Sequence, residues 1–217
     1  MDATNPQGGL SRRLPVITLL LLGSGVLAAS CSGWSSWLVY DRSAILSGEV
    51  WRMYTGHWVH FSTAHLAYDL VVLGIVGWII ETKPLPNFGR MCLVAPWLIS
   101  GGLLLMEPQV KYYGGLSALA VTAVVYLALY GLNEAGAWSW ICLSALLGLA
   151  GKTAFELITG HTLFVTGNDT VKVSVASHVL GALVALVFYG AGKLFAGKMP
   201  LGYAAKTIFP HGTESVP

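Results

Sequence analysis

Apolar residues gather along this chain in six blocks, near 14–32, 60–80, 91–106, 115–132, 138–158 and 173–192, separated by short polar or glycine- and proline-bearing stretches. A helix needs roughly 20 mostly apolar residues to cross a bilayer, and most of the blocks come close to that length. The third is short and is bounded by Glu107 and Pro108; Pro84, Pro86, Asn87 and Gly89 mark the turn before it, and Asn133, Glu134 and Gly136 the turn after the fourth. The pattern predicts an all-α, polytopic membrane protein. Its six-helix membrane domain covers 14–196, between a cytoplasmic N-terminal segment at 1–13 and a cytoplasmic C-terminal tail at 197–217. No internal repeat and no second domain is evident.

Composition strengthens this reading. Of 217 residues, 55% are hydrophobic and only 10% charged, where an average soluble domain has about 25% charged, and the mean hydropathy is +0.67. So few polar side chains cannot cover a globule in water. A net charge of +2 without a Lys and Arg cluster offers nothing to nucleic acid. Cys31, Cys92 and Cys142 lack metal-ligand spacing and fall in different spans or loops, so neither a metal nor a disulfide framework is expected, and no cofactor is implied. Arg12 and Arg13 precede the apolar run Leu14 to Ala29, with Ser30 and Cys31 after it, which is also the layout of a secretory signal. Ala28 stands where a lipoprotein box usually has Leu, and Pro15 interrupts a twin-arginine pattern. The expectation is an uncleaved first transmembrane helix.

Charge sets the orientation. With the N-terminus inside, Arg12, Arg13, Lys83, Arg90, Lys193, Lys198 and Lys206 are cytoplasmic. Arg42, Arg52, Lys111 and Lys172 are external, and Lys152 lies within span five. Seven against four favours both termini inside. Spans two, four and six then begin at the outer face, and His65, Ser117 and His178 lie within one or two turns of those starts. Three reactive side chains share one depth.

A serine in a membrane helix usually bonds back to a carbonyl one turn earlier. Ser117, however, follows Gly114 and Gly115, which permit close backbone approach and an exposed amide at a helix start. Such an amide, Gly115 included in its turn, stabilises an oxyanion while the hydroxyl attacks a carbonyl. An intramembrane histidine is costly enough to be functional by default, and Ser117 is the partner assigned to His178. Gly181 and Ala185 continue a small-residue stripe on the same face as His178, so span six can pack closely on span four. No third carboxylate is evident, and a dyad is expected. His65 and Asp69, spaced i,i+4, share a face of span two. They are either structural or oxyanion donors, the second role requiring Asp69 in its acid form. Arg52 is expected to pin a lateral loop helix in a first outer loop crowded by Trp34, Trp37, Trp51 and Trp58. Lys152 and Glu156, again i,i+4, are expected to form a structural ion pair.

Together, Glu49-Val50-Trp51-Arg52, His60-Phe61-Ser62 with His65, Gly115-x-Ser117 and His178-x-x-Gly181 resemble the rhomboid intramembrane serine proteases over about residues 48–190. Lys152 to Gly160, with Glu156 and Thr159, followed by Ser177-His178, is similar to the rhombosortase branch. The resemblance implies a rhomboid-like bundle, Ser117 as nucleophile, His178 as general base, and oxyanion contacts from His65, Asp69 and the Ser117 backbone. It implies membrane-anchored protein substrates in a bacterial inner membrane, with C-terminal Gly-Gly-type anchor tails for the rhombosortase branch, cut near the outer face and released by hydrolysis or transfer. Asp69 stands where the family usually has Asn, Ala118 where it has Gly, and Val121 where an aromatic or His often supports the base. The alternative is therefore an inactive rhomboid-like protein that binds transmembrane clients. A proton-relay transporter built on His65, Asp69 and His178 is a further rival, disfavoured by the lack of paired broken helices. Oligomeric state is not legible.

Overall fold

In lipid every backbone polar group must find a partner within its own segment, so apolar blocks of this length fold as helices. The computed structural model describes residues 14–31, 33, 35–159 and 174–196. The segments 1–13 and 197–217, and with them Arg12, Arg13, Lys198 and Lys206, lie outside the described residues, as do Trp34, Gly160 and Lys172.

The described chain is helical. Its long helices are α1 (Val16–Ser30), α5 (Thr63–Thr82), α6 (Phe88–Met106), α7 (Ser117–Gly131), α8 (Ala137–Thr159) and α9 (Val175–Ala196). Between α1 and α5 run three short helices, α2 (Ser35–Leu38), α3 (Arg42–Leu46) and α4 (Arg52–Thr55), followed by a 3-10 turn at Gly56–Trp58. Four of the long helices, α5, α6, α8 and α9, are long and apolar enough to cross a membrane, whereas α1 and α7 are shorter apolar helices. Fifteen residues of α7 span about 22 Å, against about 30 Å of hydrocarbon.

Helix α7 is the hub. Eleven of its fifteen residues are buried, with α9, α5 and α8 packed around it and α6 against α9. α8 is the opposite case: its buried residues are Cys142 and Glu156 alone. The start of α1 is held by the far end of α5, where the Glu81 carboxylate accepts the N–H groups of Ile17 (3.0 Å) and Thr18 (2.7 Å) and the Thr18 hydroxyl (2.6 Å). The two N–H groups are ones that a helix start leaves without carbonyl partners.

The first loop folds as a small layer pinned by Arg52. Its guanidinium pairs with Glu49 at 2.6 Å and donates to the carbonyls of Ser36 and Val39, which ties α4 to α2 and to the residue just before the strand β1 (Tyr40–Asp41). β1 pairs antiparallel with β2 (Tyr112–Tyr113), placing Tyr40 opposite Tyr113. His57 fills the space beneath. It is fully buried, its Nε2 faces the Pro96 carbonyl and the Ser100 hydroxyl, and its ring meets Tyr113 edge-on at 5.2 Å. The first loop thus grips the strand that leads into α7.

Burial pushes the His57 imidazole from its ordinary 6.5 down to about 4, against the opposing effect of the Pro96 hydrogen bond. The folded protein therefore holds the ring neutral, while the unfolded chain takes up a proton below about pH 6.5. This contribution is complete above pH 6.5 and is lost as pH falls toward 4, by up to about 3 kcal/mol. Thermal unfolding of the detergent-solubilised chain is expected to fall across that window, and His57→Asn to flatten the profile.

Candidate active site

Tyr113 in β2 and Ser117 at the head of α7 are joined by Gly114, Gly115 and Leu116, and both glycines are required by space. A Cβ on Gly114 would lie 2.5 Å from the Val59 carbonyl oxygen; one on Gly115 would lie 2.6 Å from Cε1 of His65. Gly115 also has φ +118°, a backbone conformation that side chains disfavour. No side chain caps α7, and the N–H groups of a first turn, that of Ser117 among them, lack the i−4 carbonyls of a helix interior. Ser117 is half-buried, whereas Tyr113 to Leu116 and Ala118 to Val121 are buried. The turn leaves Ser117 partly accessible between buried neighbours.

His178 lies in the first turn of α9 and is 4% exposed. Its Nε2 is 3.2 Å from the Ser117 hydroxyl oxygen. The approach depends on Gly181 one turn later, where a Cβ would sit 2.5 Å from the Ala118 carbonyl oxygen and 2.9 Å from the Thr122 hydroxyl. α9 rests here directly on the α7 backbone. Thr122 bonds back to the same Ala118 carbonyl at 2.8 Å, so its hydroxyl is satisfied within α7.

His65 and Asp69 line the other side, both buried on α5. Asp69 Oδ2 is 3.0 Å from Nε2 of His60 and 3.4 Å from Nε2 of His65. His60, in the segment before α5, was not among the expected site residues. Its Nδ1 faces the Trp58 carbonyl at 3.2 Å and so carries a proton, while its Nε2 faces both Asp69 and the Leu116 N–H, the latter at 3.3 Å. The Asp69 contact is favourable only with a proton on one of its two atoms. His60 thereby links the Asp69 carboxyl to the turn carrying Ser117.

The expected Lys152–Glu156 ion pair is present, with Nζ 2.8 Å from each carboxylate oxygen. Its surroundings differ from the expectation that no third carboxylate stands near the pair. Glu156 Oε2 lies 3.7 Å from Nδ1 of His178. The packing of α8 beside α9 brings them together, and positions 22 residues apart on two different helices share no periodicity that would announce it. The structure therefore gathers Ser117, His178, Gly115, His65 and Asp69 at one end of α5, α7 and α9, and adds His60, Glu156 and Lys152. Among the described residues no group of His, Cys, Asp and Glu is arranged to hold a metal ion.

A rhomboid domain family model matches residues 47–192. Over 98 residues the chain is 26% identical to the rhomboid protease GlpG of Salmonella choleraesuis (strain SC-B67), a match covering 45% of this chain and 35% of that protein. Over 101 residues it is 27% identical to the rhomboid protease GlpG of Salmonella newport (strain SL254), with the same shares. The chain thus spans about a third of the length of the curated relatives it matches.

Gly181→Ala tests the packing on which the serine and histidine depend. The new methyl would meet the Ala118 carbonyl oxygen and the Thr122 hydroxyl bonded to it, so α9 must move off α7 at a cost of about 1–3 kcal/mol. The expected outcome is a lower melting midpoint with helical content retained, together with at least tenfold slower labelling by a serine-directed fluorophosphonate, on the order set by that displacement.

Proposed function

Because the chain belongs to the rhomboid domain family, we propose that it is an intramembrane serine endopeptidase that cuts membrane-anchored proteins near the outer face of a bacterial inner membrane. The observation that carries this reading is the 3.2 Å separation of the Ser117 hydroxyl from His178 Nε2, within the reach that base-assisted nucleophilic attack needs. α1 and α7 cross together with α5, α6, α8 and α9 as a six-span bundle over 14–196. Both termini face the cytoplasm, in keeping with the excess of Lys and Arg on that side. Because α7 is short, Ser117 lies below the membrane surface, at a depth where an anchoring helix can present its end.

In the proposed reaction the Ser117 oxygen bonds to the scissile carbonyl carbon as its proton passes to Nε2 of His178. The carbonyl π pair moves onto oxygen, giving a tetrahedral oxyanion. The Ser117 N–H, at the uncapped start of α7, and the donors beside Gly115, His65 and Asp69, hold that charge. The C–N bond then breaks, the leaving amine takes the proton from His178, and an acyl-enzyme remains on Ser117. Water, deprotonated by His178, or another nucleophile handled the same way, releases the acyl group. The substrates proposed are proteins with C-terminal Gly-Gly-type anchor tails, on the similarity of Lys152 to Gly160 and Ser177-His178 to the rhombosortase branch.

A reporter carrying such a tail, reconstituted with the full chain in vesicles, is expected to be cleaved and to remain intact with Ser117→Ala. Fluorophosphonate is expected to label Ser117 in the wild type and not in His178→Ala. Processing that continues unchanged with Ser117→Ala would instead favour a non-catalytic binder of transmembrane clients. At the oxyanion position, Asp69→Ala is expected to lower kcat by on the order of 100-fold. Asp69→Asn, whose amide donates as a carboxylic acid does, keeps most of the activity, and steady-state cleavage rates separate the two.

A further inference from the structure

We infer that Glu156 is a positioning residue for His178, held in place by Lys152, so that the serine and histidine work with a carboxylate supplied by the lipid-facing helix α8. The inference rests on the protease reading above and adds a residue to it. For Nε2 of a neutral imidazole to accept the Ser117 proton, the ring must carry its own proton on Nδ1. That Nδ1 is buried and has no hydrogen-bond partner among the described residues. Oε2 of Glu156 lies 3.7 Å from it, a gap that a small rotation of either side chain closes. No other tautomer presents a lone pair to the serine.

Placement on α8 makes a coincidental approach implausible. The helix buries Cys142 and Glu156 alone among its 23 residues, and Glu156 is 2% exposed. Lys152 holds both carboxylate oxygens at 2.8 Å, which balances the charge of Glu156 while the imidazole is neutral. When the serine proton reaches Nε2, the imidazolium stands between the two oxygen acceptors that face it. Glu156 takes no proton at any step; it fixes which nitrogen is free and the direction in which the ring points.

The test uses the full chain in vesicles with two independent readouts. In steady-state cleavage of an anchored reporter, Glu156→Ala is expected to lower kcat by on the order of 100-fold with KM within about threefold. Glu156→Gln, which has the same shape and keeps an oxygen acceptor for Nδ1–H, recovers part of the loss. In 15N-histidine NMR, with His178 assigned from the signals missing in His178→Ala, the wild type shows the Nδ1–H tautomer and Glu156→Ala a mixture. Should Glu156→Ala fail to fold, Glu156→Gln and Lys152→Met carry both readouts, each expected to lower kcat while leaving KM. Folded Glu156 variants with unchanged kcat and an unchanged His178 tautomer would overturn the inference alone. A wild type that neither cleaves the reporter nor labels would overturn the protease reading, while the tautomer readout would still decide whether Glu156 orients His178.

Discussion

Direct contact between α9 and the α7 backbone, at Gly181 against the Ala118 carbonyl, is the constraint from which the site follows. Lipid tails are as apolar as leucine, so helices in a bilayer are held together by close packing rather than by a hydrophobic drive. A glycine at the crossing lets the two backbones approach, and one turn before it His178 is carried to Ser117. α7 can accept this neighbour because it is the buried centre of the bundle and offers small residues, Ala118, Ala120 and Ala123, along its upper half.

A second set of interactions keeps the α7 start where it is. The turn from Tyr113 to Ser117 is gripped by the β1–β2 pairing, by the edge of the His57 ring against Tyr113 and by the His60 contact with the Leu116 amide. Buried polar groups in this bundle are costly when left alone, and four charged ones stand where two elements meet. Glu81 ties α5 to α1, Arg52 ties α4 to the preceding loop, Asp69 ties α5 to the segment before it, and Glu156 stands between α8 and α9. The apolar faces of α5 and α8 are left to lipid.

Much of the architecture was legible in the order of residues. Every apolar block became a helix within a few residues of its expected bounds, and Arg52 pins the first loop as its position suggested. Ser117, His65 and His178 each lie within a turn of the start of their helix, as distance along a uniformly rising helix suggested. His60 was harder to see. It belongs to no helical face and reaches Asp69 only because the segment before α5 folds back over it. Glu156 was visible as half of an i,i+4 pair, and that local partner concealed its second neighbour. The single positive-φ position in the Ser117 turn, Gly115, was suggested by the glycine pair, but its contact with His65 was not.

Hydrophobic block length and the position of each polar residue within its block decided, without any knowledge of packing, that this chain is helical, that it suits a membrane, and which side chains lie at one level. Those are properties of single helices, governed by hydrogen bonding within a segment and by a fixed rise per residue. Which of those side chains touch was left to the tertiary structure. Rotation of one helix about its axis relative to the next is set by interlocking surfaces from distant parts of the chain, and on it depended the meeting of His178 with Ser117, of Asp69 with His60, and of Glu156 with His178.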